Sequence, residues 1–378
     1  MLKAIGIICE YNPFHNGHLY HLEYIKKNYP NHIIVLILSG FFTQRGGFSI
    51  LSKKDKTEIA LEAGAHLVIE LPFVFSTQSS DIFARGAITI LNELKVEKIV
   101  FGSECNDINL LKSLSNIKNS NEFNTLVKQY EQEGNSYPLS ISKAFKELSK
   151  YEINNPNDLL ALSYIDNIRS LNSSIEPISI KRTSDYHSLD TNSSIISASA
   201  IRNLLKNKEN VDNFVPSYVL KYKFFNDINF FNFLKFKILS EKEFLNVYQT
   251  VDEGIENRII KYINECNNLD ELINKVKTKR YTYNRINRMF IHILCSFTKE
   301  EAKKFQTPEY IRILGFNNKG KNYLKQIKKE VNLPIISKFS SSKSDMIKLE
   351  QRVTSLYAYI TNSNYLNEEE YKLFPTQK

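Results

Sequence analysis

Four short apolar runs, each closed by a turn and separated by segments of helical spacing, leave the first hundred residues of this chain few ways to fold. Ala4–Cys9, His32–Leu38, His66–Leu71 and Lys98–Gly102 are almost continuously apolar and rich in β-branched residues, which predicts buried strands. Between them Leu19–Lys27, Lys54–Ala63 and Asp81–Leu94 carry apolar residues at helical intervals. Buried strands alternating with helices predict a parallel sheet covered on both faces, an α/β domain of Rossmann-like type. Ligands of such sheets bind beyond the carboxyl ends of the strands. Here those ends are EYNPFHNGH, SGFFTQRGG, LPFVFSTQSSD and GSE, which hold most of the first half's Gly, His, Ser and Gln.

Residues 106–170 read as mainly helical, with polar breaks around Gly134–Pro138 and Asn154–Asp158. Glu176–Arg182 reads as one more strand, leading through a loop to the segment SASAIRNLLK. From about residue 206 the pattern is helical with charged faces, as in Glu241–Tyr248, Arg258–Asn264 and Arg285–Ser296. A chain of 378 residues exceeds what one core usually organises, so two domains are expected. Charge places the division: residues 1–205 carry 20 Lys and Arg against 21 Asp and Glu, and residues 206–378 carry 30 against 20. The expectation is a catalytic α/β domain over 1–205 and a basic, mainly helical domain over 206–378. A near-neutral half joined to a basic half suits an enzyme with a polyanionic substrate, and a solvated helical face without a partner is the alternative.

The four cysteines, Cys9, Cys105, Cys266 and Cys295, are widely spaced without a CxxC pair, which argues against a disulfide framework or a structural zinc site. The first apolar run is too short for a signal peptide, and no stretch reaches the roughly 18 apolar residues of a membrane span. A cytoplasmic protein is expected.

The chemistry concentrates in His15-Asn16-Gly17-His18, after a strand and at the start of a helix. Nucleotide phosphates are held by backbone N–H groups at a helix N-terminus, and Gly17 lets the backbone come close. His15 and His18, three apart, share one face of the first turn and can donate to an α-phosphate as it becomes pentacovalent. The bland alternative is a helix start with two incidental histidines. A zinc site on His15, His18 and His21 lacks a thiolate or carboxylate to complete it, and no metal ligand set is assigned. The second signal is Ser197-Ala198-Ser199-Ala200-Ile201-Arg202, where two hydroxyls, a helix N-terminus and Arg202 suit the phosphates of departing pyrophosphate. A Ser-capped surface helix is the simpler use of those residues.

Taken together, GIICEYNPFHNGHLYHL, LSGFFTQRGG, ELPFVFSTQSSDIFARGAI, VFGSE, NNPNDLLALSY, IKR…DYH and SASAIR occur in that order over about 1–205. These blocks resemble the bacterial tRNA(Met) cytidine acetate ligase family of the HxGH nucleotidyltransferase-like superfamily. The resemblance implies activation of acetate by ATP as acetyl-adenylate and transfer of acetyl to the exocyclic amine of the wobble cytidine of elongator tRNA(Met); Mg2+ is expected as usual for ATP chemistry. It implies nucleotide contacts along 7–20, at Ile7, Glu10, Tyr11, Asn12, Pro13, Phe14, His15, Asn16, Gly17, His18 and Tyr20, and at Gly102, Asn157 and Arg182. The family usually carries an Asn after the SG turn and Glu-Pro after QRG, where this chain has Phe41, Gly47 and Phe48.

Gln44, Arg45 and Lys53 follow the second strand and suit phosphate, RNA or solvated loop charge equally. Asp81 reads as a helix N-cap or as a partner for a histidine or the target amine, and His187 as a general base for that amine. In the second half Lys275–Arg288 (KVKTKRYTYNRINR) interleaves cations with aromatics, so Lys277, Lys279, Arg280, Tyr281 and Arg285 are the candidate RNA contacts, with Tyr283 a further ring for stacking. A basic face over a tyrosine-lined core is the alternative, and KGKNYLKQIKK near Lys319 is a less aromatic second stretch. Two rival functions share parts of this pattern: an adenylyltransferase joining AMP to a phosphorylated metabolite, and a non-catalytic RNA-binding protein.

Overall fold

A computed structural model describes residues 2–182, 194–227, 229–372 and 374–378. The predicted alternation is present as β1 (Lys3–Cys9), α1 (Asn16–Asn28), β2 (His32–Ser39), α2 (Lys53–Ala63), β3 (Leu67–Leu71), a one-turn α3 (Phe73–Ser76), α4 (Ser80–Glu93) and β4 (Lys98–Ser103). β2 is buried at every position after His32 and β3 at all five, so neither shows the alternation of a half-exposed strand.

Four helices follow, α5 (Ile108–Lys118), α6 (Asn121–Gln132), α7 (Tyr137–Ser149) and α8 (Pro156–Ser170). They enclose a small core of their own that includes Leu114, Phe123, Phe145 and Leu162. β5 (Glu176–Lys181) then pairs in parallel with β4, and α9 (Ala198–Lys206) carries the SASAIR segment. The parallel strands lie in the order β5-β4-β1-β2-β3. The chain steps outward from β1 to β3 and returns to β1's other side with β4, which opens a crevice at the carboxyl ends of β1 and β4.

The second half forms α10 (Phe230–Ser240), α11 (Ile255–Tyr262), α12 (Leu269–Val276), α13 (Tyr283–Leu294), α14 (Lys299–Lys304), β6 (Ile311–Phe316), α15 (Asn318–Ile327), β7 (Ile335–Ile336), α16 (Asp345–Ile360), α17 (Tyr365–Lys372) and β8 (Thr376–Gln377). Helix dominates as expected, but Ile311–Phe316 is a strand that helical periodicity did not disclose. It runs antiparallel to β3 from Leu67↔Phe316, with β7 and β8 parallel beside it. The sheet therefore crosses position 205, where the charge balance changes, and one hydrophobic core runs from Ala4 to Leu366. The stretch read as helix over Glu241–Tyr248 is a 3-10 helix over Lys242–Val247.

Lys53, weighed above as a loop cation, is instead the buried first residue of α2. Its ammonium meets Glu70 at 2.5 Å, Glu370 at 3.1 Å and Glu350 at 3.5 Å, and Arg312 joins Glu70 at 2.8 Å and also pairs with Glu370. Burial opposes the Lys53 charge, but Glu370, Glu70 and Glu350 outweigh it and raise its pKa. This group ties α2 and β3 of the first half to β6, α16 and α17 of the second.

Candidate active site

The turn after β1 delivers the two histidines in a fixed arrangement. His15 is the N-cap of α1: its Nδ1 accepts the Gly17 N–H at 3.0 Å, and His18 Nδ1 accepts the His15 N–H at 3.2 Å. The rings lie 3.9 Å apart. With each Nδ1 occupied as an acceptor, the neutral tautomer of both rings carries its proton on Nε2. Burial, followed by Arg182 and Arg202, lowers the His15 pKa to about 3. Burial and then the neighbouring His15 hold His18 well below its ordinary value. His21, one turn further on, places Nε2 at 3.1 Å from Val100 O, and burial lowers its pKa to about 4. All three are neutral at pH 7, and His15 and His18 offer N–H donors without a charge.

The glycine between them packs against one of the two rings. A Cβ at Gly17 would stand 2.9 Å from His15 Cε1 and 3.0 Å from its Nδ1, so a larger residue displaces the ring. The turn itself is anchored by Asn12, which donates to Phe48 O at 2.8 Å and accepts the Ile50 N–H at 2.9 Å. Asn16 donates to Ser194 O and Asn213 O, both at 2.9 Å. Lys56 is buried beneath the site, donating to Gly40 O at 2.6 Å, Ser39 O at 2.7 Å and Glu10 O at 3.3 Å. Burial lowers its pKa to about 7, and it gathers the ends of β1 and β2.

His15 and His18 face a cleft of about 1040 Å³ that Glu10, Tyr11, Asn12, Gly17 and Tyr20 also line. That volume is at the upper end of the about 300–1,000 Å³ of small-ligand pockets, which leaves room for more than a nucleotide. Ile7 is fully buried in the core and its neighbour Ile8 lines the cleft instead. Pro13 and Phe14 are buried, with Phe14 against Tyr11 at 4.8 Å between ring centroids, so both shape the turn from behind.

Six distant candidates from the first half reach the same cleft. Gly102, Asn157, Arg182, Ser197, Ser199 and Arg202 all line it. Gly102 sits against Arg182, whose Cγ would lie 3.1 Å from an added Cβ. Asn157 donates to Glu104, which also accepts the Asp158 N–H at 3.0 Å, and Asp158 in turn accepts Ser103 Oγ at 2.6 Å. Glu104 and Asp158, unremarked in the sequence, thus clamp the start of α8 to the end of β4. Ser197 Oγ caps α9 through the Ala200 N–H at 3.2 Å, the simpler of its two expected roles, yet it does so at the cleft. Arg202 donates to Asn12 O at 2.6 Å and to Ser199 Oγ at 3.0 Å, which joins the second motif to the first turn.

The remaining candidates divide. Gln44 and Arg45 line the cleft. Asp81 lies in the first turn of α4 and accepts Lys118 Nζ at 2.8 Å and Ser163 Oγ at 3.1 Å, while Ser79 takes the N-cap position assigned to it. His187 lies outside the described residues. From the second half Arg280, Tyr283 and Arg285 reach the cleft, whereas Lys277 and Lys279 are exposed. Tyr281 is buried, its hydroxyl donating to Asp252 O at 2.6 Å and its ring covered by Arg285 at 3.9 Å. Its face is therefore part of the packing and not a platform for a base. Arg288, which no sequence pattern set apart, also lines the cleft. Phe41 and Phe48, at positions where the resembled family differs, stack on the two sides of Tyr357 at 4.2 and 4.5 Å. Among the described residues no three His, Cys, Asp or Glu side chains converge as metal ligands, and no helix is long and apolar enough to cross a membrane.

Comparison with known proteins agrees with this geometry. The HIGH Nucleotidyl Transferase family model matches residues 2–372. A tRNA(Met) cytidine acetate ligase of Geobacillus sp. (strain WCH70) is 39% identical over 393 residues, covering 97% of this chain and 98% of that one. That of Caldicellulosiruptor saccharolyticus is 40% identical over 380 residues, covering 94% of each. Among solved structures, Thermotoga maritima TmcAL in its apo form superposes with a TM-score of 0.90 at 28% identity, covering 100% of this chain and 99% of that one. The same protein bound with alpha-thio ATP gives a TM-score of 0.88. The family model and the near full-length similarity agree: the chain belongs to the HIGH nucleotidyl transferase family, among its tRNA(Met) cytidine acetate ligases.

Proposed function

We propose that this protein condenses acetate with ATP and passes the acetyl group to the exocyclic N4 amine of the wobble cytidine of tRNA(Met). The observation that carries the reading is the pair of imidazoles of His15 and His18, neutral and fixed as Nε2–H donors by their backbone bonds at the head of α1. In the first step an acetate oxygen attacks the α-phosphorus, the bond to the bridging oxygen breaks, and pyrophosphate leaves. Charge grows on the α-phosphate oxygens during that attack, and prearranged donors stabilise it where rearranging water would not. Arg202, Ser199 and the first turn of α9 are suited to the departing pyrophosphate. In the second step the cytidine amine attacks the acetyl carbonyl, AMP leaves with the bonding pair, and the amine gives up a proton. An acyl phosphate is a good leaving group, so holding the amine in place supplies most of what this step needs.

The donor set suits Mg2+ arriving on the triphosphate, an octahedral ion usually held by one or two carboxylates and by substrate phosphates. Glu10 lines the cleft, and an arriving cation would favour the charged form of its carboxylate that burial disfavours. Gly102, Asn157 and Arg182 fit the adenosine end, and the basic residues 206–378 fit tRNA in the cytoplasm. The test is incubation with isotopically labelled acetate, ATP and tRNA(Met), with digestion and mass spectrometry of the nucleosides. Label in acetylcytidine at the wobble position supports the reading. AMP transferred to a phosphorylated metabolite without RNA would replace it with the adenylyltransferase.

A further inference from the structure

Arg288 is set in the wall of the cleft in a way that packing alone does not explain. It lies on α13, and its Nη1 donates to Gln44 O at 3.3 Å. Its Nε is buried and has no hydrogen-bond partner, and no carboxylate among the described residues lies within ion-pair distance of Arg288 or of Arg285. The neighbouring Asn287 donates to Arg45 O at 3.1 Å. Gly46, with φ of 76°, lies so close that a Cβ would stand 2.4 Å from Arg288 N. The QRG turn after β2 and the middle of α13 are thus pressed backbone to backbone. That joint brings Arg45 to the same cleft as Arg285 and Arg288, which are three apart and share a helix face.

The guanidinium groups of Arg285 and Arg288 repel each other on one cleft wall, and an Nε shut away from water without an acceptor is costly. Burial, then Arg285 and Arg45, lowers the Arg288 pKa to about 10. Of the three acids that line the cleft, Glu10, Asp81 and Glu131, none forms an ion pair with Arg285 or Arg288 among the described residues. Glu10 accepts the Gln44 N–H at 2.6 Å, and burial raises its pKa, which disfavours its charged form. Asp81 is committed to Lys118. An anion entering the cleft would relieve the repulsion.

We propose that Arg45, Arg285 and Arg288 form a subsite for a backbone phosphodiester of the RNA, next to the nucleotide that receives the acetyl group. This rests on the tRNA reading above. The phosphates of ATP have other donors, at the head of α1 and at α9, whereas this wall is built by α13 and the turn after β2. Arg285 and Arg288 belong to the basic half of the chain, and guanidinium forks suit phosphate oxygens. Its role is to hold the acceptor's backbone so that the amine meets the adenylate.

The test separates the two half-reactions. Acetate-dependent pyrophosphate exchange without RNA reports adenylate formation, and acetyl transfer to tRNA reports both. For Arg288→Gln, and separately Arg285→Gln, KM for tRNA rises about tenfold relative to any change in exchange. In the wild type, a tRNA carrying one neutral methylphosphonate beside the acceptor cytidine shows the same loss, and Arg288→Gln adds little to it. Loss of exchange together with ATP affinity in the variants would assign the arginines to the nucleotide and overturn the proposal. So would a methylphosphonate series in which no linkage near the acceptor raises KM more than twofold, a result that stands even if the variants fold poorly. A wild type that exchanges pyrophosphate yet never acetylates tRNA fails earlier, at the tRNA reading itself.

Discussion

Gly17 donates its N–H to Nδ1 of His15 at 3.0 Å, and the same ring fills the space where a Gly17 Cβ would project. One residue therefore sets both the tautomer and the position of the His15 imidazole. Gly17→Ala should push the ring aside while leaving α1 folded. A misplacement on the scale of 1 Å costs about 10²-fold in rate. Pyrophosphate exchange should fall by that order with little change in the unfolding midpoint. Full exchange in this variant would mean that the His15 position is not what the reaction needs.

The imidazoles predict an acid limit to stability. Burial leads the causes that lower the pKa of His15 to about 3, and of His21, His66 and His292 to about 4, from an ordinary 6.5. Each holds a proton less tightly when folded, so unfolding takes up protons below pH 6.5. Their contribution is fully present above that pH and is lost as pH falls toward 4. The denaturation midpoint should be flat from pH 7 to 8 in this respect and decline from 6.5 downward. His66→Asn keeps an acceptor for the Ile34 N–H, which His66 Nδ1 takes at 2.8 Å, and should make the decline shallower. An unchanged slope would contradict the assignment.

Lys53 is predicted to matter for folding and not for binding. Lys53→Met leaves Glu70 and Glu370 buried with Arg312 alone, and removing one partner of a buried ion pair costs about 3–5 kcal/mol. Chemical denaturation would read this loss directly. A variant of wild-type stability with weakened ATP or RNA binding would reverse the conclusion.

For the RNA surface outside the cleft, neutralising Lys277, Lys279 and Arg280 should weaken tRNA binding and flatten its salt dependence. Each phosphate deprived of its cation lowers the slope of log affinity against log salt by about 0.7–0.9. Arg280 also pairs with Glu253 at 3.3 Å and donates to Glu131 O at 3.0 Å, so the single changes at Lys277 and Lys279 serve as controls for altered packing. Binding that keeps its full slope in the triple variant would place the surface elsewhere.

The first half was legible because its signals are local. Nearly continuous apolar runs made β1 to β4 stand out, and HNGH follows the carboxyl end of the first of them. SASAIR was readable as a capped helix, but its approach to the turn after β1 depends on the bond from Arg202 to Asn12 O, across 190 residues. Ile311–Phe316 escaped notice because six apolar-rich residues among helices have no period of their own, and their partner β3 is more than 240 residues earlier. Lys53 looked like a loop cation because Glu350 and Glu370, which hold it, come from the far end of the chain. Tyr281 looked available because nothing in the sequence says that Arg285 covers it. Arg288 read as one more cation of a basic helix, and only its contact with the turn at Gly46 sets it apart.

The central claim is that His15 and His18 serve the formation of an acetyl-adenylate. The most direct measurement is exchange of labelled pyrophosphate into ATP, with and without acetate, in wild type and His18→Ala. The account predicts exchange that requires acetate and falls by about 10²–10³-fold in the variant, the usual effect of removing one transition-state donor. No acetate-dependent exchange in a wild-type protein that binds ATP and acetylates tRNA would contradict a free adenylate, and undiminished exchange in His18→Ala would contradict its place at this site.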